Sequence, residues 1–441
     1  MTAINAVKDV SIARSDNQHI TIVGGGMVGL SLALMLVKNL PDTIDVSLIE
    51  KFAFPLSSKN SQASTEEKMQ QDSFDARSTA ISAGSATLLA SIDCWDSLSA
   101  YVEAINTIHI SDRGHYISTQ LNAQEQEVDA LGYVVENRSL GHCLLQQLQQ
   151  SRVKVIAPAI VERCQFIQQK VKIILAAENS NKESEQQAIA TDLLIIADGA
   201  DSPLCRSIGI ESHKTHYQQS AIIANVALDK PHNGIAYERF TDQGPLALLP
   251  LSDCEQQHRA ALVWTRNNEE AHRLSSVSNE EFLDELQQAM GYRAGKLTHI
   301  GERHMYPLTL VQSSEQVRSR VVVMGNAAHF LHPVAGQGFN LSLRDCATLV
   351  DVLSEALTEK YHANNKNVDA IIDIGGLAIL QRYLSRRETD QQRTIALTDT
   401  MVNTFSSAEL SRSVFRQMGL LGLNAMPAAK KILAKQMMGM A

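Results

Sequence analysis

The chain has 441 residues, 44% of them hydrophobic and 20% charged, with a formal net charge of −9 and a pI near 5.9. This length predicts two or three domains, and this composition is that of a globular protein rather than a disordered one. The acidic balance excludes nucleic acid as a partner, because no general basic field exists to neutralise phosphates.

The six cysteines are scattered, with no CxxC pair and no cysteine–histidine spacing of a zinc site. We therefore expect reduced core cysteines, no metal and a cytoplasmic protein. The segment before His19 is too polar for a secretory signal, and no run of about 18 apolar residues predicts a membrane span. Peripheral attachment at the inner face of the membrane stays open.

A glycine-rich turn follows the first predicted strand. Residues 20–23 form an apolar run, after which Gly24, Gly26 and Gly29 lead into an apolar helix over residues 30–37. In this pattern the first glycine permits a tight turn, the second lets a pyrophosphate approach the backbone, and the third lets helix and strand pack closely. The segment predicts a dinucleotide site, although a turn that only packs is the alternative.

A second apolar strand, residues 46–49, ends at Glu50. A carboxylate at this point can accept hydrogen bonds from a ribose diol. Strand, helix and strand together form a βαβ unit, which predicts a parallel sheet with a right-handed crossover.

The next stretch of the chain is more mixed. Residues 57–72 are predicted to be an exposed loop, and residues 75–82 are predicted to open a helical stretch. A helix follows over residues 137–150, then short strands within residues 153–175 and a charged hairpin tip over residues 178–187.

A further buried strand, residues 192–197, ends in Asp198 and Gly199, and Arg206 follows eight residues after the Asp. This pattern fits a second ligand-contacting segment, but a turn at a strand end is the alternative, because Asp-Gly favours turns. From residue 213 to residue 304 the pattern alternates strands with one helix, residues 279–290.

The apolar strand at residues 321–324 runs into a glycine-punctuated loop, residues 325–340, and then into helical spacing over residues 341–353. Such a loop can bring bare backbone amides against an anionic or electron-rich ligand.

These segments predict an α/β fold with a discontinuous Rossmann-like domain, a β-rich second domain built from the insertions, and a C-terminal helical segment. The predicted limits are 17–104, 136–212 and 306–395 for the first, 105–135 and 213–305 for the second, and 396–441 for the third.

Three runs of the sequence, GGGMVG, DGADSPLCR and GNAAHFLHPVAGQGFN, together resemble the flavoprotein aromatic hydroxylases of the para-hydroxybenzoate hydroxylase fold. Their order and spacing match over nearly the whole chain. Within that family the chain is most similar to the ubiquinone-biosynthesis hydroxylases. The closer match rests on the runs FDARSTAIS and VENR, and on Asn326, where most of the wider family has Asp.

The resemblance implies a bound FAD and a β-rich domain for the substrate. The residues that it places against FAD are Gly24, Gly26, Gly29, Glu50, Arg77, Arg138, Asp198, Gly199, Asn326, Pro333, Gly336, Gln337, Gly338, Phe339 and Asn340. The first glycine loop would hold the pyrophosphate and Glu50 the adenosine ribose. The loop from Pro333 would run along the isoalloxazine, with a helix beginning near Phe339 pointing its positive end at the ring.

Several of these assignments have plain structural alternatives. Arg138 could be a surface helix arginine, and Arg77 could make a local salt bridge at a helix N-terminus. Asn326 keeps an acceptor oxygen but adds a donor and loses the charge of the usual Asp. His329 and His332 flank the flavin loop and are interpreted as structural, so no catalytic side chain is assigned beyond the flavin-facing loop itself.

The implied activity is an FAD-dependent monooxygenase that hydroxylates a polyprenylated phenol, of the 2-octaprenyl-6-methoxyphenol type, in ubiquinone biosynthesis. NAD(P)H would dock transiently and reduce the flavin, and O₂ would add at C4a to give a hydroperoxide that attacks the phenol ring. The alternatives are another ring position, another phenolic substrate, or a non-catalytic flavoprotein subunit of a biosynthetic assembly.

The C-terminal end is basic, apolar and rich in Met, and from residue 410 onward it contains no Asp or Glu. One interpretation is contact with an anionic membrane surface or with other ubiquinone-biosynthesis proteins. A second is a helix packed on the FAD domain with its basic face exposed. A third is a contact between subunits of a homo-oligomer.

Overall fold

The computed structural model describes residues 17–54, 77–114, 118–176, 187–254, 257–331, 336–363, 372–405 and 427–439. Strands in these residues form four sheets. The helices are α1 (Met27–Asn39), α2 (Ala83–Ser91), α3 (Trp95–Leu98), α4 (Asn137–Gln150), α5 (Pro203–Ser207), α6 (Asn268–Ser276), α7 (Asn279–Met290), α8 (Gln337–Ala363), α9 (Leu377–Phe405) and α10 (Pro427–Met437).

The first sheet has six strands and is parallel except at one edge. Its strands are β1 (Gln18–Val23), β2 (Ile44–Ile49), β8 (Lys154–Ile156), β12 (Leu193–Ile196), β19 (Val317–Arg318) and β20 (Val321–Val323). Their order is β19-β20-β12-β1-β2-β8, and only β19 runs antiparallel to its neighbour. Strand β12 is buried along its whole length, which explains its unbroken apolar sequence.

Both faces of this sheet are covered. On one side, residues of α1, α4, α8 and α9 join the buried apolar cluster that contains Ile20 and Ile22. On the other side lies a three-stranded antiparallel sheet, which shares a cluster with Leu194 and Ile196. Its strands are β9 (Val161–Ile167), β10 (Lys170–Leu175) and β11 (Ala188–Thr191).

A nine-stranded sheet forms the β-rich part of the molecule. Its strands are β5 (Thr107–Asp112), β6 (Ser118–Asn122), β13 (Ser212–Leu228), β14 (Ile235–Thr241), β15 (Gly244–Cys254), β16 (Gln257–Asn267), β17 (Leu297–Ile300), β18 (His304–Ser313) and β21 (His329–Phe330). Helices α6 and α7 pack on one face, where the rings of Trp264 and Phe282 meet edge to face at 5.4 Å. Residues on the opposite face line the cavity of the candidate site.

The fourth sheet links the other parts, and it corrects one prediction. It contains β3 (Ser78–Ser82), β4 (Val102–Ile105) and β7 (Gly132–Glu136). The prediction that residues 75–82 open a helix is wrong for Ser78–Ser82, because β3 pairs antiparallel with β7. The helix begins one residue later, where the Ser82 hydroxyl caps it by accepting from Ser85 N at 3.2 Å.

A second helix of the β-rich part was missed in the sequence. Helix α6 precedes the predicted α7, and Asn267 caps it by accepting from Glu270 N at 2.8 Å. The Asn-x-x-Glu spacing of these two residues is the sequence signal that predicts such a start. The pairing of β18 with β21 was also not predicted, because two residues are too few to show periodicity.

The predicted fold class is confirmed: a parallel α/β sheet is combined with a β-rich part and a C-terminal helix. The predicted domain limits stay a prediction. Those at 104/105, 135/136, 212/213, 305/306 and 395/396 fall inside β4, β7, β13, β18 and α9. The predicted loop at residues 57–72 and most of the predicted hairpin tip lie outside the described residues.

Candidate functional site

The site begins where four parallel strands of the first sheet end. Strands β20, β12, β1 and β2 are neighbours in that order. Because the carboxyl ends of parallel strands meet at one edge of a sheet, the segments that follow them lie side by side there. Asn326, Asp198, Gly24 and Glu50 each follow one of these strands within three residues. The structure therefore brings together the three segments that the sequence singled out.

Close backbone contacts require glycine in the first segment. Gly24 has φ +111°, and a Cβ there would lie 2.3 Å from the carbonyl oxygen of Ala197, directly before Asp198. A Cβ on Gly29 would lie 1.9 Å from the carbonyl oxygen of Gly24. The glycine loop thus packs against both its own helix and the second segment.

The N-terminus of α1 is open to an anion. Its N-cap is Gly26, which has no side-chain oxygen to occupy the first amides, and its first turn contains no acidic residue. Free amides and the positive end of a 13-residue helix form a phosphate-binding arrangement. The third segment closes on the same helix, because a Cβ on Gly325 would lie 3.2 Å from Val28.

Glu50 is held at this loop by the backbone. Its Oε2 accepts a hydrogen bond from Gly25 N, and its Oε1 accepts one from Phe52 N at 3.0 Å. Each carboxylate oxygen still has a lone pair that can accept a hydroxyl, as a ribose diol requires. The geometry fits the predicted role of Glu50.

Asp198 contains an unsatisfied buried atom. Within the described part of the chain, its Oδ1 is buried and has no hydrogen-bond partner. Burial raises the pKa of this carboxyl above its ordinary value, against the opposing effect of Ser202. A Cβ on Gly199 next to it would meet no atom within 4 Å. A polar ligand group beside Asp198 would fill this space and satisfy the oxygen, so the residues fit a dinucleotide.

The loop before α8 forms the other end of the site. Gly336, Gly338 and Phe339 line a cavity of about 240 Å³ between the start of α8 and the nine-stranded sheet. Helix α8 begins at Gln337, two residues before Phe339, and no acidic residue lies in its first turn. Its positive end therefore lies at this cavity. Pro333 and His332 lie outside the described residues.

The side chain of Asn340 connects β3 to the start of α8 by hydrogen bonds. Its Nδ2 donates to the carbonyl oxygens of Ala80 at 2.8 Å and Gly336 at 2.7 Å, and its Oδ1 accepts from Ser82 N at 2.9 Å. These bonds occupy both amide donors. These bonds give the amide group of Asn340 a positioning role, and a contact of Asn340 with the cofactor stays a prediction.

The two predicted arginines lie in different surroundings. The Arg77 guanidinium stands 4.9 Å from the centre of the Tyr306 ring, a cation–π distance, and Arg77 precedes a strand rather than a helix. Arg138 forms an ion pair with Glu136 at 2.9 Å, and 68% of its side chain is exposed. A contact of either arginine with the cofactor stays a prediction.

His329 belongs to a buried ionic network, which supports its structural interpretation. Its Nε2 lies 2.7 Å from Asp345 Oδ2 on α8, and Asp345 Oδ1 accepts from Arg387 Nε at 2.6 Å and from Gln391 Nε2 at 3.0 Å. Burial alone would raise the pKa of Asp345, but the hydrogen bond and charge of His329 and the charge of Arg387 outweigh it and hold the pKa below its ordinary value. The network ties the third segment to α8 and α9.

The described part of the C-terminal end packs on its own chain. Ala434 and Met438 are buried in a cluster with residues of β4, β6 and β7, and Met437 lines the 240 Å³ cavity. Of the three interpretations of this end, residues 427–439 therefore support packing within the chain. Lys431, Ile432 and Lys435 stay exposed on the outer face. Among the described helices, none is long and apolar enough to cross a membrane.

Sequence reasoning missed the residues of the nine-stranded sheet that line the cavity. The clearest of them is Glu238, on β14 between Ala236 and Phe240. Its only signal was an acidic residue at an alternate, inward position of a strand, which a single sequence cannot separate from an outward one.

Comparison with known proteins gives the site its context. Residues 17–369 match the family model described as an FAD binding domain. The chain is 30% identical to the ubiquinone hydroxylase UbiL of Rhodospirillum rubrum, covering 95% of this chain and 89% of that protein. It is 28% identical to 3-demethoxyubiquinol 3-hydroxylase of Escherichia coli, covering 96% and 98%.

The fold has solved counterparts as well. The crystal structure of Klebsiella pneumoniae HpxO complexed with FAD and uric acid superposes with a TM-score of 0.67 at 16% identity, covering 95% of this chain and 97% of the other. At this identity the likeness concerns the fold.

Proposed function

Because the chain belongs to the FAD-dependent aromatic hydroxylases of the ubiquinone-biosynthesis group, we propose that it hydroxylates a polyprenylated phenol of the 2-octaprenyl-6-methoxyphenol type. NAD(P)H and O₂ are the co-substrates. The observation that carries the proposal is the apolar cavity between the start of α8 and the nine-stranded sheet.

The size of this cavity fits one ring. Its volume of about 240 Å³ lies below the range of about 300–1,000 Å³ usual for larger ligands. One aromatic ring with small substituents fills it, and a long prenyl chain must extend beyond it. Its walls are formed largely by apolar side chains such as Ile108, Leu249 and Val263, which suit a prenylated ring and exclude water from the reaction.

Different described residues would bind different parts of the cofactor. The amides of the glycine loop at α1 would bind the FAD pyrophosphate, and Glu50 would accept the ribose hydroxyls. When bound, FAD supplies the redox chemistry, taking electrons from NAD(P)H and activating O₂. The N-terminus of α8 favours negative charge at the ring end of the site, and Asn340 fixes its position against β3.

A different ring position is the second candidate. The similarity to 3-demethoxyubiquinol 3-hydroxylase spans nearly the full length of both chains, at almost the same identity as the similarity to UbiL. Only the second of these names specifies a ring position, so overall similarity gives no preference between ring positions.

The experiment supplies the FAD-loaded protein with NAD(P)H, ¹⁸O₂ and short-chain prenyl phenols that differ in their open ring positions. We expect one product from 2-prenyl-6-methoxyphenol, carrying a single ¹⁸O at one ring carbon. If 2-prenyl-6-methoxyphenol is not hydroxylated and only phenols with a different open ring position are, the second candidate is favoured. Oxidation of NAD(P)H that yields only H₂O₂ with every phenol would contradict both.

We further propose that the outer face of α10, formed by Lys431, Ile432 and Lys435, meets an anionic lipid surface from which a prenylated substrate is drawn. Ile432 is 68% exposed between the two lysines. Each cation near such a surface contributes about 1 kcal/mol. Reversing both charges, Lys431→Glu with Lys435→Glu, is therefore expected to reduce binding to vesicles of anionic lipid at least about tenfold.

Co-sedimentation with vesicles measures this effect, and neutral vesicles serve as the reference. The matched control carries the same charge change on exposed lysines of the β-rich part, Lys230→Glu with Lys296→Glu. Equal binding by the two double variants would contradict the lipid contact. Binding of another ubiquinone-biosynthesis protein that only the α10 variant loses would assign the face to a protein instead.

A further inference from the structure

One acidic side chain faces the apolar cavity. Glu238 lies on β14, where its partners across the neighbouring strands are Ile110 on β5 and Ala247 on β15. Ala236, two residues before it on the same face, also lines the cavity. The carboxyl is therefore placed in the middle of an apolar sheet face rather than at its rim.

No described residue forms a hydrogen bond or ion pair with the Glu238 carboxyl. Of the described residues that line the cavity, Glu238 is the only one with an acidic or basic side chain. A polar group without a hydrogen bond in apolar surroundings costs free energy. A ligand that enters the cavity and hydrogen-bonds to the carboxyl would remove this cost.

Its surroundings also alter its basicity. Glu238 is half-buried, and most of the side chains that line the cavity with it are apolar. This burial raises the pKa of Glu238 to about 7. A carboxylate with a raised pKa is a better proton acceptor than an exposed glutamate, and it stays ionised in a large fraction of molecules near neutral pH.

The opposite wall of the cavity is the loop that faces the flavin. Gly336, Gly338 and Phe339 line the same cavity as Glu238. An aromatic ring held there lies between the carboxyl on the sheet side and the cofactor side of the site. One end of the ring can thus be held while another carbon is presented for reaction.

We propose that Glu238 is a catalytic residue that binds the hydroxyl of the phenol substrate and accepts its proton. The assignment rests on the proposed hydroxylation of a phenol. In the step, the phenol O–H bond breaks and a Glu238 O–H bond forms, while the electron pair stays on the phenol oxygen. The ring gains electron density at its ortho and para carbons, which favours attack on an electrophilic oxygen. The step itself needs no oxidant.

The test compares the wild type with Glu238→Gln, which keeps the shape of the side chain but cannot accept this proton. The probes are short-chain 2-prenyl-6-methoxyphenol and its O-methyl ether. Their dissociation constants are measured on the oxidised FAD-loaded protein from changes in flavin absorbance, and kcat/KM is measured for the phenol. FAD content and Tm show that each variant is folded. Glu302→Gln is the matched control, because its side chain is 80% exposed and lies outside the cavity.

We expect the wild type to bind the phenol more tightly than the ether and Glu238→Gln to bind the two nearly equally. The kcat/KM of Glu238→Gln for the phenol should fall by about 100-fold or more, the usual effect of losing a general base. Glu238→Asp, which keeps a shorter carboxyl, should recover part of the preference and of the rate. Glu302→Gln should behave as the wild type.

Two results would overturn the assignment in distinguishable ways. If the wild type hydroxylates the phenol and Glu238→Gln matches its rate and its preference over the ether, the assignment alone is wrong. If the wild type neither binds nor hydroxylates any phenol, the proposed function fails and the assignment fails with it.

Discussion

Gly24→Ala is expected to produce a protein that does not retain FAD. Gly24 has φ +111°, and the new Cβ would stand 2.3 Å from the carbonyl oxygen of Ala197, which belongs to the backbone and cannot move aside like a flexible side chain. Backbone strain of about 1–3 kcal/mol and overpacking of similar size add up at one position. The free protein can relieve this cost by moving the loop, whereas FAD binding requires the loop in place, so about 3 kcal/mol corresponds to a dissociation constant raised by about 100-fold or more.

The flavin-to-protein absorbance ratio after purification measures this result, followed by titration of the apoprotein with FAD. Gly209→Ala is the control for strain alone, since Gly209 also has positive φ (+75°) but a Cβ there would meet no atom within 4 Å. The control should lose some stability and keep its FAD. A yellow Gly24→Ala protein with wild-type affinity for FAD would show that the glycine loop does not hold the cofactor.

Asp345→Ala is expected to destabilise the fold by about 3–5 kcal/mol, the cost of removing one partner from a buried ionic network. Asp345 is 1% exposed and serves His329, Arg387 and Gln391 at once. In this variant the buried Arg387 loses one of its two carboxylate partners and keeps the other, Asp390. His329 loses the carboxylate that hydrogen-bonds to its ring. Chemical denaturation measures the loss, and Glu359→Ala, which removes an exposed partner of Arg382, should change stability little.

The same carboxylate predicts how stability responds to acid. The pKa of Asp345 in the folded protein is held below its ordinary value, so the folded state keeps the ionised form more firmly than the unfolded state does. Its contribution is complete above the unfolded pKa, near 4, and is lost as the pH falls from there through the folded pKa. The difference in unfolding free energy between wild type and Asp345→Ala should shrink on acidification in that range. A difference that stays constant or grows would contradict this account of the network.

The parts of the site that follow strand ends could be predicted because their signals are local. The spacing of Gly24, Gly26 and Gly29 after an apolar run specifies a turn into a helix, and Glu50 marks the end of the next strand. Since all of these strands are parallel neighbours, their ends meet without any further information. Asp198 and Asn326 come to the same edge for the same reason.

The parts that depend on distant contacts could not be predicted. Residues 78–82 have a Ser-Thr-Ala-Ile-Ser sequence that suits several conformations, and pairing with β7, some 50 residues away, makes them a strand. Asn340 hydrogen-bonds to Ser82, which is 258 residues away in the chain. No local sequence pattern predicts a hydrogen bond between residues so far apart. Glu238 lines the cavity only because the nine-stranded sheet packs near the start of α8, a contact between parts of the chain that are about 100 residues apart.

The most direct test of the account is the ratio of hydroxylated product to NAD(P)H consumed by the FAD-loaded protein with short-chain 2-prenyl-6-methoxyphenol. A site in which the glycine loop holds FAD and the apolar cavity holds the phenol at its ring end predicts a ratio near one, because water is excluded from the reaction. A ratio near zero, with H₂O₂ matching the NAD(P)H consumed, would contradict the placement of the phenol beside the flavin-facing loop.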